Sequence, residues 1–204
     1  EKIVQHYGAS FRDLGDLHII SLAGKDAALA INNHSIVKPT PLWDVIAAEA
    51  RKRRPRWIGI DTAADVFIVE ERDRSQVRQC ISLLRGLAME IDSAVILLSH
   101  PSLTGIQSGS GLSGSTAWNN SVRSRLYLHT PQQEDDTGSG DIRVLETMKA
   151  NYAEKGEQLR LRWKDGLLVM EGTGAAPVQR MSTMERMCVG TGAAHIFRAL
   201  VSRF

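Results

Sequence analysis

The chain has 204 residues, 43% hydrophobic and 24% charged, the balance of a globular domain with a sizeable core and neither that of a disordered segment nor that of a membrane protein. No apolar run reaches the roughly 18 residues of a membrane-crossing helix, and no basic leader followed by an apolar stretch opens the chain, so no membrane partner is expected. A formal net charge of +2 is too small to mark a nucleic-acid binder by bulk charge, and any such contact has to come from a local patch.

The segment Glu1 to Tyr7 reads as the last turns of a helix already under way, which makes the chain part of a longer protein in expectation. Leu17 to Leu22 predicts a buried strand, and Gly24 to Pro39 a long connection with turn residues Asn32 and Asn33. Thr40 can cap a helix with Pro41 at its first position, Leu42, Val45, Ile46 and Ala50 following at helical spacing. That helix closes in Arg51-Lys52-Arg53-Arg54 before Pro55. Cations suit the negative end of a helix dipole, so a solvated terminus is the plainer reading and a DNA-binding patch the other.

Arg56 to Thr62 is a short apolar run that ends on Asp61. Asp73 to Ile91 places Val77, Ile81, Leu84, Leu87, Ala88 and Ile91 in one stripe, with Asp73 as a plausible cap. Ala94 to Leu98 is the next strand, ending in Ser99-His100, so the segment is a right-handed β-α-β crossover and the sheet is parallel. Ser102 to Ser115, rich in Gly and Ser, reads as a flexible loop at the carboxyl end of a central strand, a usual place for function. Arg125 to His129 is a further strand and Pro131 to Gly140 an acidic turn. Ile142 to Met148, Gln158 to Trp163 and Leu167 to Met170 form an antiparallel edge, turned at Lys155-Gly156 and Lys164-Asp165-Gly166. Residues 172 to 204 read as a tail, with a helix near Ala193 to Val201. Cys80 and Cys188 have neither metal-site spacing nor the density of a disulfide framework, which suits a reducing cytoplasm.

The carboxyl edge of an α/β sheet is where such folds bind ligands. In P-loop nucleotide hydrolases an Asp there fixes Mg²⁺, and a polar residue ending a neighbouring strand senses the terminal phosphate. Asp61 and His100 suit those roles. The alternatives are an Asx-turn through Thr62 for Asp61 and a ring bonded to a nearby backbone carbonyl for His100. The phosphate-binding loop Gly-x-x-x-x-Gly-Lys-Ser/Thr occurs nowhere in the chain. Gly24-Lys25-Asp26 has Ile19 where the loop requires Gly, and Gly109 to Thr116 has Ser115 where it requires Lys. His6, His18, His34, His129 and His195 show no metal-ligand spacing.

Four blocks carry a resemblance: Ile60-Asp61-Thr62-Ala63-Ala64-Asp65-Val66-Phe67, Arg74-Ser75-Gln76-Val77-Arg78-Gln79, Leu97-Leu98-Ser99-His100-Pro101-Ser102, and the run from Gly109 to Leu128 with Ser113-Gly114-Ser115-Thr116-Ala117-Trp118-Asn119. In this order they resemble the RecA-like AAA-family ATPases related to the RepA replicative helicases of plasmids, over about Gln5 to Gly172. The resemblance implies an α/β RecA-like P-loop NTPase core, a mostly parallel central sheet flanked by helices with an antiparallel C-terminal edge. Residues 1 to 171 would be a partial ATPase domain, and the phosphate loop and general-base Glu would precede Glu1.

It further implies ATP and Mg²⁺ as cofactors, single-stranded DNA as partner, held by loops pointing into a central pore, and self-association into a ring, a hexamer in expectation. Asp61 would hold Mg²⁺ directly or through water. Thr62 would hold the carboxylate or the attacking water, and His100 would contact the γ-phosphate. Arg123 resembles an arginine finger reaching the neighbouring subunit's nucleotide, and Lys149 part of the segment that contacts it. The plainer alternatives are an intramolecular salt bridge for Arg123, a solvated strand-end lysine for Lys149, and a helix cap and a core aromatic for Asp65 and Phe67. For the whole chain the rival is a non-catalytic DNA-binding or assembly module of the same fold.

Overall fold

A computed structural model describes residues 2–113, 115–131, 141–152 and 155–171. The chain is mixed α/β and divides into two compact units, one formed by Ile20–Val122, the other by Glu1–Ile19 with Arg123–Phe204. It opens with α1 (Lys2–His6) and a 3₁₀ turn at Phe11–Leu14. The strand expected over Leu17 to Leu22 does not form. Ile19 and Ile20 are 81% and 61% exposed, because an apolar run becomes a strand only when a neighbour takes its amide and carbonyl groups. The expected connection that follows instead contains a hairpin, β1 (Ala30–Asn33) and β2 (Ile36–Pro39). Its two turn residues, His34 and Ser35, have φ of 51° and 66°, the paired positive values of a twisted two-residue hairpin turn.

Helix α2 (Pro41–Arg53) starts at Thr40, whose Oγ1 accepts the Trp43 amide at 3.4 Å, with Pro41 in the first turn. Its buried residues are Trp43, Ala47 and Ala50, one position round from the expected stripe. Val45 is 62% exposed, and the large Trp43 ring takes the core position. Strand β3 (Trp57–Ile60) leads into α3 (Ala63–Val66), β4 (Phe67–Ile68) and then α4 (Arg74–Ile91). The Asp73 carboxylate accepts the amides of Ser75 at 2.7 Å and Gln76 at 3.3 Å, capping α4. Val77, Cys80, Ile81, Leu84, Leu87 and Ile91 are buried at intervals of three and four, so the helix lays one apolar face on the core.

After α4, β5 (Ala94–Leu97) pairs in parallel with β3, Trp57 opposite Ala94 through Ile60 opposite Leu97. A three-stranded sheet, β2-β1-β4, joins a second parallel pair to the hairpin. Among the described residues parallel pairing is confined to these two pairs, less than the extended parallel sheet expected. Two short helices follow, α5 (Leu103–Gln107) and α6 (Thr116–Ser121). Trp118 of α6 faces Phe67 with ring centroids 6.3 Å apart; both are buried in the same core, which makes Phe67 a core aromatic.

The second unit carries an antiparallel meander, β6 (Ser124–His129), β7 (Ile142–Ala150), β8 (Gln158–Lys164) and β9 (Leu167–Met170), in that order. This is the antiparallel edge read from the sequence, with β7 two residues longer than expected. Asp165 and Gly166, φ 53° and 82°, turn β8 into β9. Glu171 then accepts from both Arg160 and Arg162, at 3.0 Å each, and those bonds, Arg160's first, hold its carboxyl below the usual range. The acidic turn at 132–140 and the tail at 172–204 lie outside the described residues.

Candidate functional site

Because Ile60 and Leu97 are register partners in parallel strands, the residues that follow them leave the sheet at the same edge. Leu98 donates its amide to the Ile60 carbonyl at 2.9 Å, and Ala63 donates its own to the Leu98 carbonyl at 2.8 Å. Asp61 and Leu98-Ser99-His100 therefore issue from adjacent strand ends that are tied by backbone bonds. Asp61 and His100 are both exposed. Neither side chain has a hydrogen bond or ion pair among the described residues, so neither the Asx-turn nor the carbonyl-bonded histidine is the arrangement present. The Asp61–Thr62 peptide is cis.

Thr62 is engaged. Its hydroxyl donates to Asp65 Oδ2 at 2.8 Å and its amide to the same oxygen at 3.3 Å, so Asp65 and Thr62 cap α3 as a reciprocal box. Asp65 is thus a helix cap, and Thr62 keeps its lone pairs for a further donor. No group of three or more His, Cys, Asp or Glu side chains able to hold a metal occurs among the described residues. A single unpartnered carboxylate still fits Mg²⁺, which takes one or two protein carboxylates and completes its shell with phosphate oxygens and water. It does not fit a dedicated all-protein cage.

The loop after His100 is more ordered than its composition suggests. Ser102 donates its amide and its hydroxyl to the Leu112 carbonyl, at 2.9 Å and 3.0 Å, while Gly111 donates to the Gly105 carbonyl at 3.0 Å. The Ser102 hydroxyl also accepts the Gly105 amide at 3.1 Å. Gly105 is buried, and a Cβ there would lie 2.1 Å from the Leu112 oxygen. Only glycine permits that approach. Sequence reading missed Gly105, whose one signal was a glycine inside a loop full of them. The short helix presents Leu103 and Ile106, 78% and 52% exposed.

Arg123 and Lys149 belong to the other unit. Arg123 precedes β6, is exposed, and accepts the Asn151 amide on its carbonyl at 3.1 Å. No ion pair of its guanidinium occurs among the described residues, so the intramolecular salt bridge is not what holds it. Lys149 is half-buried on β7 opposite Arg125, which brings Arg123 and Lys149 to one end of the β6/β7 pair. Burial lowers the pKa of Arg125, the inward-facing member of this end.

A profile of the AAA domain family matches residues 1–105. None of the curated proteins matches the chain. Among solved structures, a helicase-type ATPase domain is similar in fold, with TM-score 0.50 and 21% identity over 62% of this chain and 50% of that one. The chain thus spans about half the length of that structure.

Proposed function

Since the chain belongs to the AAA domain family, we propose that its complete form is a RecA-like ATPase that couples Mg·ATP binding and hydrolysis to DNA binding or translocation, in the manner of RepA-type replicative helicases. The observation that carries this reading is the pairing of an unpartnered Asp61 carboxylate with the Ser99-His100 strand end on one edge of parallel β3 and β5. Bound Mg·ATP would supply the transferable phosphoryl group and the divalent charge that neutralises its oxygens. Asp61 holds the metal, directly or through water. Thr62 Oγ1, already donating to Asp65, accepts a proton from a water and so orients it. His100 donates to a terminal phosphate oxygen and, on losing that contact, releases the loop that begins at Pro101.

Arg123 acts on the nucleotide of a neighbouring subunit in a ring, a hexamer in this reading, with Lys149 beside it at the same strand end. Such a guanidinium contributes on the order of 10³ to 10⁵ in rate. Single-stranded DNA is the polymer held, in the cytoplasm, with residues 1–171 as the ATPase part and 172–204 as an appended tail. The phosphate cradle has to come from outside these residues, since none of them forms the Gly-Lys loop. That same observation favours a second reading, a non-catalytic DNA-binding or assembly module. Mg²⁺-dependent phosphate release by the complete protein, lost in a folded Asp61→Asn variant, supports the ATPase. Turnover untouched by Asp61→Asn contradicts it.

A further inference from the structure

The amino edge of the same two strands has a different chemistry. Arg51, Lys52, Arg53 and Arg54 end α2, Pro55 turns the chain, and Arg56 precedes β3. All five cations are exposed. The carboxylates around them are Glu49, which takes Arg53 at 2.7 Å and Lys52 at 3.9 Å, Glu90, which takes Arg51 at 2.7 Å, and Asp92 at the end of α4. Five cations against three carboxylates leave an excess of two, which equals the formal net charge of +2 for the entire chain. The rest of the sequence cancels, so the chain's positive excess is concentrated on this edge.

The helix dipole accounts for Arg51 to Arg53 in the last turn of α2. It does not account for Arg54 and Arg56. Arg54 sits in the left-handed region at φ 47° and ψ 56°, where glycine is the favoured residue, and Arg56 lies beyond the helix. Neither forms an ion pair among the described residues, although Arg54 is close enough to Glu90 to help lower its pKa. Trp57, the adjacent aromatic, packs its ring against Gly59, so no exposed stacking platform for bases accompanies the cations.

We propose that this edge, through Arg54 and Arg56 with Lys52 beside them, binds the phosphodiester backbone of a nucleic acid without reading its sequence. Guanidinium forks match phosphate oxygens, and cations without a base-stacking surface give contacts that position a strand and carry no sequence information. The edge lies five residues along β3 from Asp61, about 16 Å at strand rise, and is a second contact that needs no nucleotide. The inference goes beyond the proposed ATPase and stands without it.

The test is fluorescence anisotropy of a labelled mixed-sequence single-stranded oligonucleotide with the 204-residue chain, titrated at several salt concentrations without nucleotide. Arg54→Glu/Arg56→Glu should weaken binding about tenfold or more and flatten the log K against log salt slope by about 1.4, two contacts' worth on a single strand. Arg54→Lys/Arg56→Lys should keep the slope. Arg54→Gly/Arg56→Gln should weaken binding while the fold is at least as stable, since glycine suits the left-handed position, and this separates lost charge from lost structure. Asp61→Asn should bind like the wild type, whatever becomes of the ATPase reading. An unchanged slope in the Glu and Gly/Gln variants overturns the proposal, as does wild-type binding to phosphatidylserine vesicles with none to the oligonucleotide.

Discussion

The Ala63 amide donates to the Leu98 carbonyl at 2.8 Å, which ties the turn after Asp61 to the strand end that leads to His100. A site built from two strands keeps its geometry only if their ends move together. Here that coupling is made by backbone groups and is independent of the side chains offered to a ligand. The reciprocal Thr62 and Asp65 cap stiffens the same turn from its other side.

The loop after His100 depends on one missing methyl. Gly105→Ala puts a Cβ against the Leu112 carbonyl, a fixed backbone atom, so the loop has to open or shift. Overpacking of this kind costs about 1–3 kcal/mol. Amide exchange of Ser102 and Gly111, whose bonds close the loop, should quicken in the variant while α4 amides stay protected. Unchanged protection at both positions would show that the loop adapts without opening.

Stability should fall in acid through the surface carboxylates that cap and brace α4. The Gln76 side chain, and then the Ser75 and Gln76 amides, hold the Asp73 carboxyl below its ordinary value, and the Arg51 guanidinium does the same for Glu90. A carboxyl with a depressed folded pKa stabilises the fold fully above its unfolded value of about 4, and the contribution disappears as pH falls through the folded value. Asp73→Asn should therefore lower the urea midpoint at neutral pH and lose less on acidification than the wild type. Equal losses would mean that the Asp73 charge has no part in the cap.

Burial pushes the Cys80 thiol up to about 11, and its relative exposure is 0%. Thiolate is the reactive form, so alkylation of Cys80, followed by peptide mass spectrometry, should be negligible in the native protein at neutral pH and rapid in urea. Native labelling would show that α4 opens far below the global unfolding free energy.

Helix α4 was legible because Val77 through Ile91 repeat at helical spacing behind an Asp cap, two local signals that agree. The strand expected at Leu17 to Leu22 was not, since Ile19 and Ile20 state an apolar preference but no partner. The hairpin at His34-Ser35 carried no glycine to announce its positive φ values, and the folded-back loop rests on an approach between Gly105 and Leu112 that composition hides. At the site, the strand ends identified Asp61 and His100 as edge residues. Their freedom from internal partners, and the engagement of Thr62 by Asp65, depend on hydrogen bonds that spacing does not encode.

The central claim is a composite site in which Asp61 acts within its own subunit and Arg123 on its neighbour's nucleotide. The most direct measurement is ATP hydrolysis by mixtures of two complete-length variants, Asp61→Asn and Arg123→Ala, each inactive alone. Mixed rings contain interfaces with Asp61 from one subunit and Arg123 from the next, so the account predicts that turnover reappears on mixing. No recovery, with subunit exchange demonstrated independently, would contradict it.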